Sequence, residues 1–538
     1  MLQTLQIADY FIFFLLLLLM VGGSIWQGYR NKNTEDYFMA GRSLKWWSVA
    51  GSIYGTNVSL TQIIGMLGIG YSIGFAQSHY EVLAVPAILL LCYVFVPVYR
   101  RRKIFTLSQF LEHRYNKHAR LLYSVLIILI ILILLVGGFY IGSRQLGLLF
   151  RGSNFEIGYL QGILLIGAVS SLLVYVGGMS SVVVAENIIT VLMVITVLLV
   201  GSLTLYHPAI GGFSGLLQLD AQQPAAAQKM HLYLPSNHAD LPWTGVFSGL
   251  MVLHSFFWTT NQFEVQRILA AESDRQAKLG ALAAAFLKLL IPFFSVAAGV
   301  AAAYLFRFTY QLDNVKPDDA FVFLMSKVVP SGYGLLGLIL AGFTGAIFSS
   351  IYSMLNSAAT LLSMDVFKQY LRPDATDKQI VWFGRISVFL ICLVAALLAW
   401  ASFDPTASGN FFLTLSKNTS YLKPGIVSAF FLGVFWKKTH PVSAIAAIVL
   451  APVIGLGLEA LYATLASRSP ALQSLFGAQL NFMHRVLLTF LICVGLQISI
   501  SLYYHRKTGF VADATDLVPA PGRLIQYGLA IAVVHALL

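Results

Sequence analysis

Charged residues make up only 10% of this 538-residue chain, against 58% hydrophobic ones. A soluble domain of that size needs far more charge to cover its surface, so a soluble globular protein is excluded. Cysteine is nearly absent: Cys92, Cys392 and Cys493 each lie inside an apolar run and read as small buried hydrophobes, not as disulfides or metal ligands. No CxxC or HExxH motif occurs, and no nucleophile–base pair that would make a membrane-embedded enzyme is found; Ser349, the best placed hydroxyl, has no His within its motif. No soluble domain interrupts the apolar pattern. The longest loop, 207–241, contains Pro, Gly, Ala, Gln and three His and reads as a solvated external loop, since a metal site would need clustered ligands. The first apolar run lacks a preceding basic segment and a clear A-x-A site, so it is expected to be a genuine span and not a cleaved signal.

Apolar runs of about 20 residues recur from end to end, each long enough to cross a bilayer as a helix. We place spans at 8–27, 46–69, 81–99, 121–150, 157–177, 181–206, 242–265, 278–306, 333–363, 381–402, 411–435, 440–463, 482–504 and 522–538, which makes fourteen. The net charge of +12 does not signal nucleic acid, because the basic residues alternate between loops. Arg30, Lys32 and Arg42 follow the first span, a run from Arg100 to Arg120 follows the third, and later basic groups occupy alternate loops up to Arg506, Lys507 and Arg523. The opposite loops are sparser, with no basic residue in 70–80 and Lys229 alone in 207–241, so the basic side is expected to be cytoplasmic and both termini external, in a plasma or inner membrane. The VGGMSS turn at 176–181 carries no basic residue and is not oriented by charge.

Polar residues inside lipid must be satisfied within the protein, which makes polar clusters in the spans informative. The segment GTNVSLTQ (55–62) brings Thr56, Asn57, Ser59, Thr61 and Gln62 into the second span. Gly51 and Gly55, four apart, suit close helix packing. Packing does not account for the polar residues, whereas an unwound segment lining a cavity does. A second cluster, HSFFWTTNQFEVQR (254–267), repeats the pattern T-N-x-x-x-x-Q: Thr56, Asn57 and Gln62 in one, Thr260, Asn261 and Gln266 in the other. The two lie five spans apart and so run in opposite directions, as in inverted-repeat transporters with paired broken helices. Glu264 is expected to pair with Arg267. In GAIFSSIYSMLNSAAT (345–360), Ser349, Ser350, Ser353, Asn356 and Ser357 share one helix face. Such serines either bond the carbonyl one turn back or supply hydroxyl oxygens to a hard cation such as Na+. Finally, Glu81, Arg144, Glu186 and Lys288 are charges within spans, each a functional candidate or an interfacial snorkel; Glu81 and Lys288 can pair or share a substrate.

These segments, together with DYFMAGRSLKWW (36–47), YSIGFAQSHYE (71–81), YVGGMSSVV (175–183), NQFEVQRILAA (261–271), AAFLKLLIPF (284–293) and KPGIVSAFFLGVFWKK (423–438), resemble the sodium/solute symporter family, and most of all its sodium–galactose and sodium–glucose branch. The resemblance implies an all-α LeuT-type core of five plus five inverted-repeat helices. It divides the single transmembrane domain into an extra N-terminal helix and loop (1–45), a first repeat (46–206), the external loop (207–241), a second repeat (242–435) and accessory helices (436–538). It implies Na+ as the coupling ion, held by the carbonyls of Gly55, Val58 and Ala346 and the hydroxyls of Ser349 and Ser350. A second ion in some members uses two serines and a carboxylate. Here Ser353 matches one serine, Tyr352 stands at the other and Glu186 replaces an Asp, so one Na+ is expected.

For substrate the resemblance implies Asn57, Gln62, Glu81, Asn261 and Lys288, all of the residue types the sugar branch uses. Sugar hydroxyls both donate and accept, which suits these groups. His254, Phe257, Ala84 and Ser416 depart from the branch, where Asn, a gating Tyr, Ser and Gln stand. Arg144 and His254 leave room for an acidic sugar such as sialic acid, which relatives carry. The implied mechanism is uptake of a small-molecule sugar by alternating access, with Na+ binding completing the sugar site. No covalent chemistry, nucleic acid or obligate protein partner is implied. A channel would need a continuous polar pore, whereas the polar residues cluster at mid-depth.

Overall fold

The structure is a computed structural model that describes residues 5–31, 33–58, 60–152, 155–312, 314–403 and 410–511, with the backbone alone for Leu60 and Thr61. Its regular structure is helical. Among the described residues, nine helical stretches are long and apolar enough to cross a membrane. One of them, Tyr159–Leu205, crosses twice, because Gly178 has φ 50° and ψ −135°, which only glycine adopts readily. The reversal is visible along helix Ile7–Gly28. Phe155 packs on Tyr10 and Phe14 near one end, Gly177 abuts Gly28 at the other, and Val184 and Ile188 return past Gly23. The turn at Gly178 therefore lies beside Gly28, on the side of the basic loop carrying Arg30 and Arg42, which gives the VGGMSS segment the orientation its own charges do not.

Three more spans are interrupted and so too short to count as continuous helices: Trp46–Asn57 with Leu60–Ser72, Gly249–Ser255 with Gln262–Leu269, and Phe411–Thr419 with Lys423–Phe435. These correspond to the runs 46–69, 242–265 and 411–435. The spans expected over 8–504 are thus all present as helices with shifted ends, while 522–538 lies outside the described residues. The loop at 207–241 is more ordered than its composition suggests. It contains helix Gly212–Ala221, and Lys229 reaches back with its Nζ donating to the Ser72 carbonyl at 2.6 Å.

Burial separates centre from rim. Helix Leu335–Leu361 is buried over nearly its whole length. Helices Ile7–Gly28, Asp377–Ala401, Pro441–Ala466 and Phe482–Thr508 instead expose large apolar side chains such as Phe11, Leu18, Trp382, Leu397, Leu456 and Leu491, a lipid-facing pattern. The basic loops also have a structural task. Arg100 donates to the carbonyls of Ile268, Leu269 and Ala271, and Arg114 to those of Gly433, Trp436 and Thr439. Each guanidinium closes a helix C-terminus, where the last carbonyls lack partners and the helix dipole favours a cation.

Candidate functional site

Helix Trp46–Asn57 ends at mid-chain because Val58 takes φ −78° and ψ 61°. This is the inverse γ conformation, which turns its carbonyl out of the helical hydrogen-bond row. The last-turn carbonyls are left without intrahelical partners, and that of Gly55 accepts from the Ser349 hydroxyl at 2.6 Å. Beside it the Ser350 hydroxyl donates to the Ala346 carbonyl at 3.0 Å. Gly55, Ala346, Ser349 and Ser350 are thus brought together as neutral oxygens contributed by two facing helices, with Val58 at the break. Ser59 and the side chain of Thr61 lie outside the described residues. The break can approach its neighbours because its glycines allow it. A Cβ on Gly55 would stand 2.8 Å from the Glu186 carbonyl and 2.8 Å from Thr190 Oγ1, and one on Gly51 would strike Asn187. Close packing therefore accounts for the glycines and not for the polar residues beside them.

The second break mirrors the first. Phe256–Thr260 is π-helical and Asn261 is extended, with φ −97° and ψ 122°, before helix Gln262–Leu269 begins. Both T-N pairs thus fall where helices are interrupted, consistent with the repeated pattern. Their glutamines diverge: Gln62 donates to Glu81, whereas Gln266 bonds Phe38 O, Thr360 and Ser357 and serves packing.

Between the breaks lies a cavity of about 180 Å³, room for about six waters at ~30 Å³ each and of the order of one small polyhydroxylated ring. Asn57, Gln62, Asn261, His254, Phe257, Lys288 and Ser416 all line it, as does Ala84. Lys288 Nζ lies 2.6 Å from Glu81 Oε2 and donates to Asn57 Oδ1. Glu81 itself stands just behind the wall, fully buried. The resulting chain Asn57–Lys288–Glu81–Gln62 joins both sides of the first break to helix Asp274–Lys288, and neutralises two charges that burial would otherwise penalise by several kcal/mol each. Three polar atoms around the cavity, Asn261 Oδ1, His254 Nε2 and the Tyr80 hydroxyl, are buried without a hydrogen-bond partner among the described residues. Each such atom costs about 1–3 kcal/mol if left unmade, and together they form a set that hydroxyl groups can satisfy. Ser350 and Ile347 also line the cavity, so the oxygen cluster and the cavity share a wall.

Two expectations are corrected. Glu264 does not pair with Arg267. Arg267 instead pairs with Glu186 at 2.9 Å, both fully buried, because Glu186 gathers donors from Ser52, Thr56 and Ser353 and needs a counter-charge. Both oxygens of Glu264 are left without a hydrogen-bond partner. Arg144, which in sequence leaves room for an acidic sugar or reads as an interfacial snorkel, is held by Asp319, its Nη2 lying 2.9 and 2.8 Å from the two carboxylate oxygens. It is not among the cavity-lining residues. Ser353 bonds Glu186 and so falls outside the oxygen cluster of Ser349 and Ser350. Sequence reasoning missed Lys423, which lines the cavity; it falls inside the run 411–435, but beside Pro424 and Gly425 it reads only as part of the KPGIVSAFFLGVFWKK motif.

Comparison with known proteins adds the family context. Residues 37–451 match the family model described as the sodium:solute symporter family. A sodium/glucose cotransporter of Vibrio parahaemolyticus is 32% identical over 485 residues, covering 85% of this chain and 86% of that one. A sodium/myo-inositol cotransporter 2 of Mus musculus is 28% identical over 483 residues, covering 84% and 70%. Among solved structures, the substrate-bound outward-open state of a Na+-coupled sialic acid symporter superposes with a TM-score of 0.77 at 21% identity, covering 93% of this chain and 98% of that one, which shows a shared fold.

Proposed function

Because this chain belongs to the sodium:solute symporter family, we propose that its cavity carries a hexose-class sugar inward together with one Na+. The chain is a multi-pass, Na+-coupled symporter with the LeuT-type fold and not an enzyme; the substrate and the residues that hold it are our reading. The observation that carries the reading is the buried chain Asn57–Lys288–Glu81–Gln62 along one wall of a monosaccharide-sized cavity. It offers donors and acceptors at fixed positions, as vicinal hydroxyls require. The relatives named for glucose and myo-inositol support a polyhydroxylated cargo.

In this reading Na+ sits among the carbonyls of Gly55, Val58 and Ala346 and the hydroxyls of Ser349 and Ser350, and the sugar meets Asn57, Gln62, Glu81, Asn261, Lys288, His254 and Ser416, with Phe257 closing over it. Occupation by Na+ fixes the break in Trp46–Ser72 and with it Asn57 and Gln62. Each ligand then favours the same arrangement of the helices, which is what coupling requires. The engagement of Glu186 by Arg267 and three hydroxyls supports a single ion. Uptake into liposomes from labelled galactose, glucose, myo-inositol, sialic acid and proline, under an inward Na+ gradient, tests the reading. Na+-driven accumulation of a hexose is expected; accumulation of proline alone would leave a symporter and remove the sugar.

A further inference from the structure

The cavity wall holds two lysines and, among the described residues, no carboxylate. Lys288 is neutralised from behind by Glu81. Lys423 is not neutralised: among the described residues it has neither a hydrogen-bond acceptor nor an acidic group within ion-pair distance, and its one recorded contact is its ammonium 5.5 Å from the centre of the Phe256 ring. It is half-buried. Among the described residues, the buried Arg267, Arg120 and Arg485 are matched by Glu186, Asp365 and Glu459, and buried Arg114 by three backbone carbonyls. Lys423 also opens helix Lys423–Phe435, where the positive end of the helix dipole disfavours a cation. The local field at that end of the cavity is thus positive from two sources and uncompensated. The ring of Phe256 supplies only a weak cation–π contact. Nearby hydroxyls of Ser416 and Thr419 and the unpartnered His254 Nε2 add donors or acceptors but no negative charge.

A neutral sugar would use the Asn57–Lys288–Glu81–Gln62 wall and leave this half-buried cation without an anionic partner in a pocket shared with the entering Na+. A substrate carrying one carboxylate resolves both problems. It pairs with Lys423 through a charge-assisted hydrogen bond, and it offsets the repulsion that Lys423 exerts on Na+. We propose that Lys423 is a specificity-determining residue that binds a substrate carboxylate, so that the preferred cargo is a sugar acid of hexose frame, a hexuronate, with its hydroxyls on the Asn57 side and its carboxylate on Lys423. This inference rests on the sugar reading above and names the member of that class.

The test uses the full-length protein in liposomes under an inward Na+ gradient. Labelled D-galacturonate is compared with D-galactose, and D-glucuronate with D-glucose, in the wild type, Lys423→Gln and Lys423→Arg. Folding of each variant is checked by its thermal transition. The expected result is a kcat/KM at least tenfold higher for the uronate than for its parent hexose in the wild type, a ratio that collapses to about one in Lys423→Gln and is largely kept in Lys423→Arg. Na+-driven uptake of hexoses with no preference for uronates, or a preference unchanged in Lys423→Gln, overturns the carboxylate assignment and leaves the sugar reading standing. Na+-driven uptake of neither member of either pair overturns both.

Discussion

At the scale of the residue, the ion pair between Lys288 and Glu81 does two jobs, and they can be separated. It neutralises two buried charges, and it presents one ammonium to the cavity. Removing one partner leaves the other charge buried, at a cost of about 3–5 kcal/mol. Lys288→Met should therefore lower the thermal transition markedly and abolish uptake. Combining it with Glu81→Gln should recover most of the thermal stability and none of the uptake, since the charge conflict is gone and the sugar contact is not restored. Recovery of uptake in the double variant would show that the pair serves the fold alone. Residue types were legible in sequence where the chain breaks a local rule. Asn57, Gln62, Lys288 and Ser349 stood out because polar groups in an apolar run need a reason. Lys423 was not, because the adjoining Pro424 and Gly425 mask its place inside the run 411–435, and Asp319 was not, because it lies in the loop between 306 and 333 where charge is unremarkable. Only the tertiary fold brings one into the cavity and the other onto Arg144. The Glu264–Arg267 pair was misjudged for a related reason: spacing along one helix says nothing of a stronger partner, Glu186, on another.

At the scale of the element, broken helices and reversed turns are where the sequence speaks through backbone rules. Both breaks coincide with a T-N pair. The hairpin at Gly178 needs a glycine twice over: its φ of 50° with ψ −135° is nearly forbidden to other residues, and a Cβ there would meet the carbonyl of Tyr37. Gly178→Ala should lose about 1–3 kcal/mol through strain alone, with overpacking adding a similar amount. A thermal transition unchanged from wild type would contradict that reading of the turn. Gly55→Ala sits in an ordinary helical conformation, so its cost is packing against Glu186 and Thr190, and it should act on Na+ dependence as well as on stability. The thirteen spans over 8–504 were legible from hydropathy, with shifted ends. The side on which the VGGMSS turn lies was not, since it carries no charge, and its contact with Gly28 supplies what composition lacks.

At the scale of the whole molecule, the proposed single Na+ sets both the driving force and its electrical signature. About 100 mV adds ~2.3 kcal/mol per charge, and a tenfold Na+ gradient adds ~1.4 kcal/mol. One Na+ with a neutral hexose thus moves one charge and uses both terms. One Na+ with a monoanionic hexuronate moves no net charge and uses only the second. Imposing an inside-negative potential should therefore accelerate hexose entry and leave hexuronate entry unchanged. Potential-driven acceleration of hexuronate entry would require a second cation. The family, the helical fold and the coupling ion were all within reach of the sequence, because they depend on motifs spread over most of the chain. The cargo depends on a few side chains converging from distant helices, which motifs along the chain do not place.

The central claim is that the break after Asn57 and the Ser349–Ser350 face form one Na+ site that controls substrate movement. Initial uptake of a labelled monosaccharide into liposomes, measured with an inward Na+ gradient and with choline in place of Na+, for wild type and Ser350→Ala, tests it most directly. The account predicts a Na+-dependent rate in the wild type and a Na+ requirement shifted at least tenfold upward, or lost, in Ser350→Ala. Uptake that proceeds equally in choline, or a Ser350→Ala variant with an unaltered Na+ dependence, would contradict it.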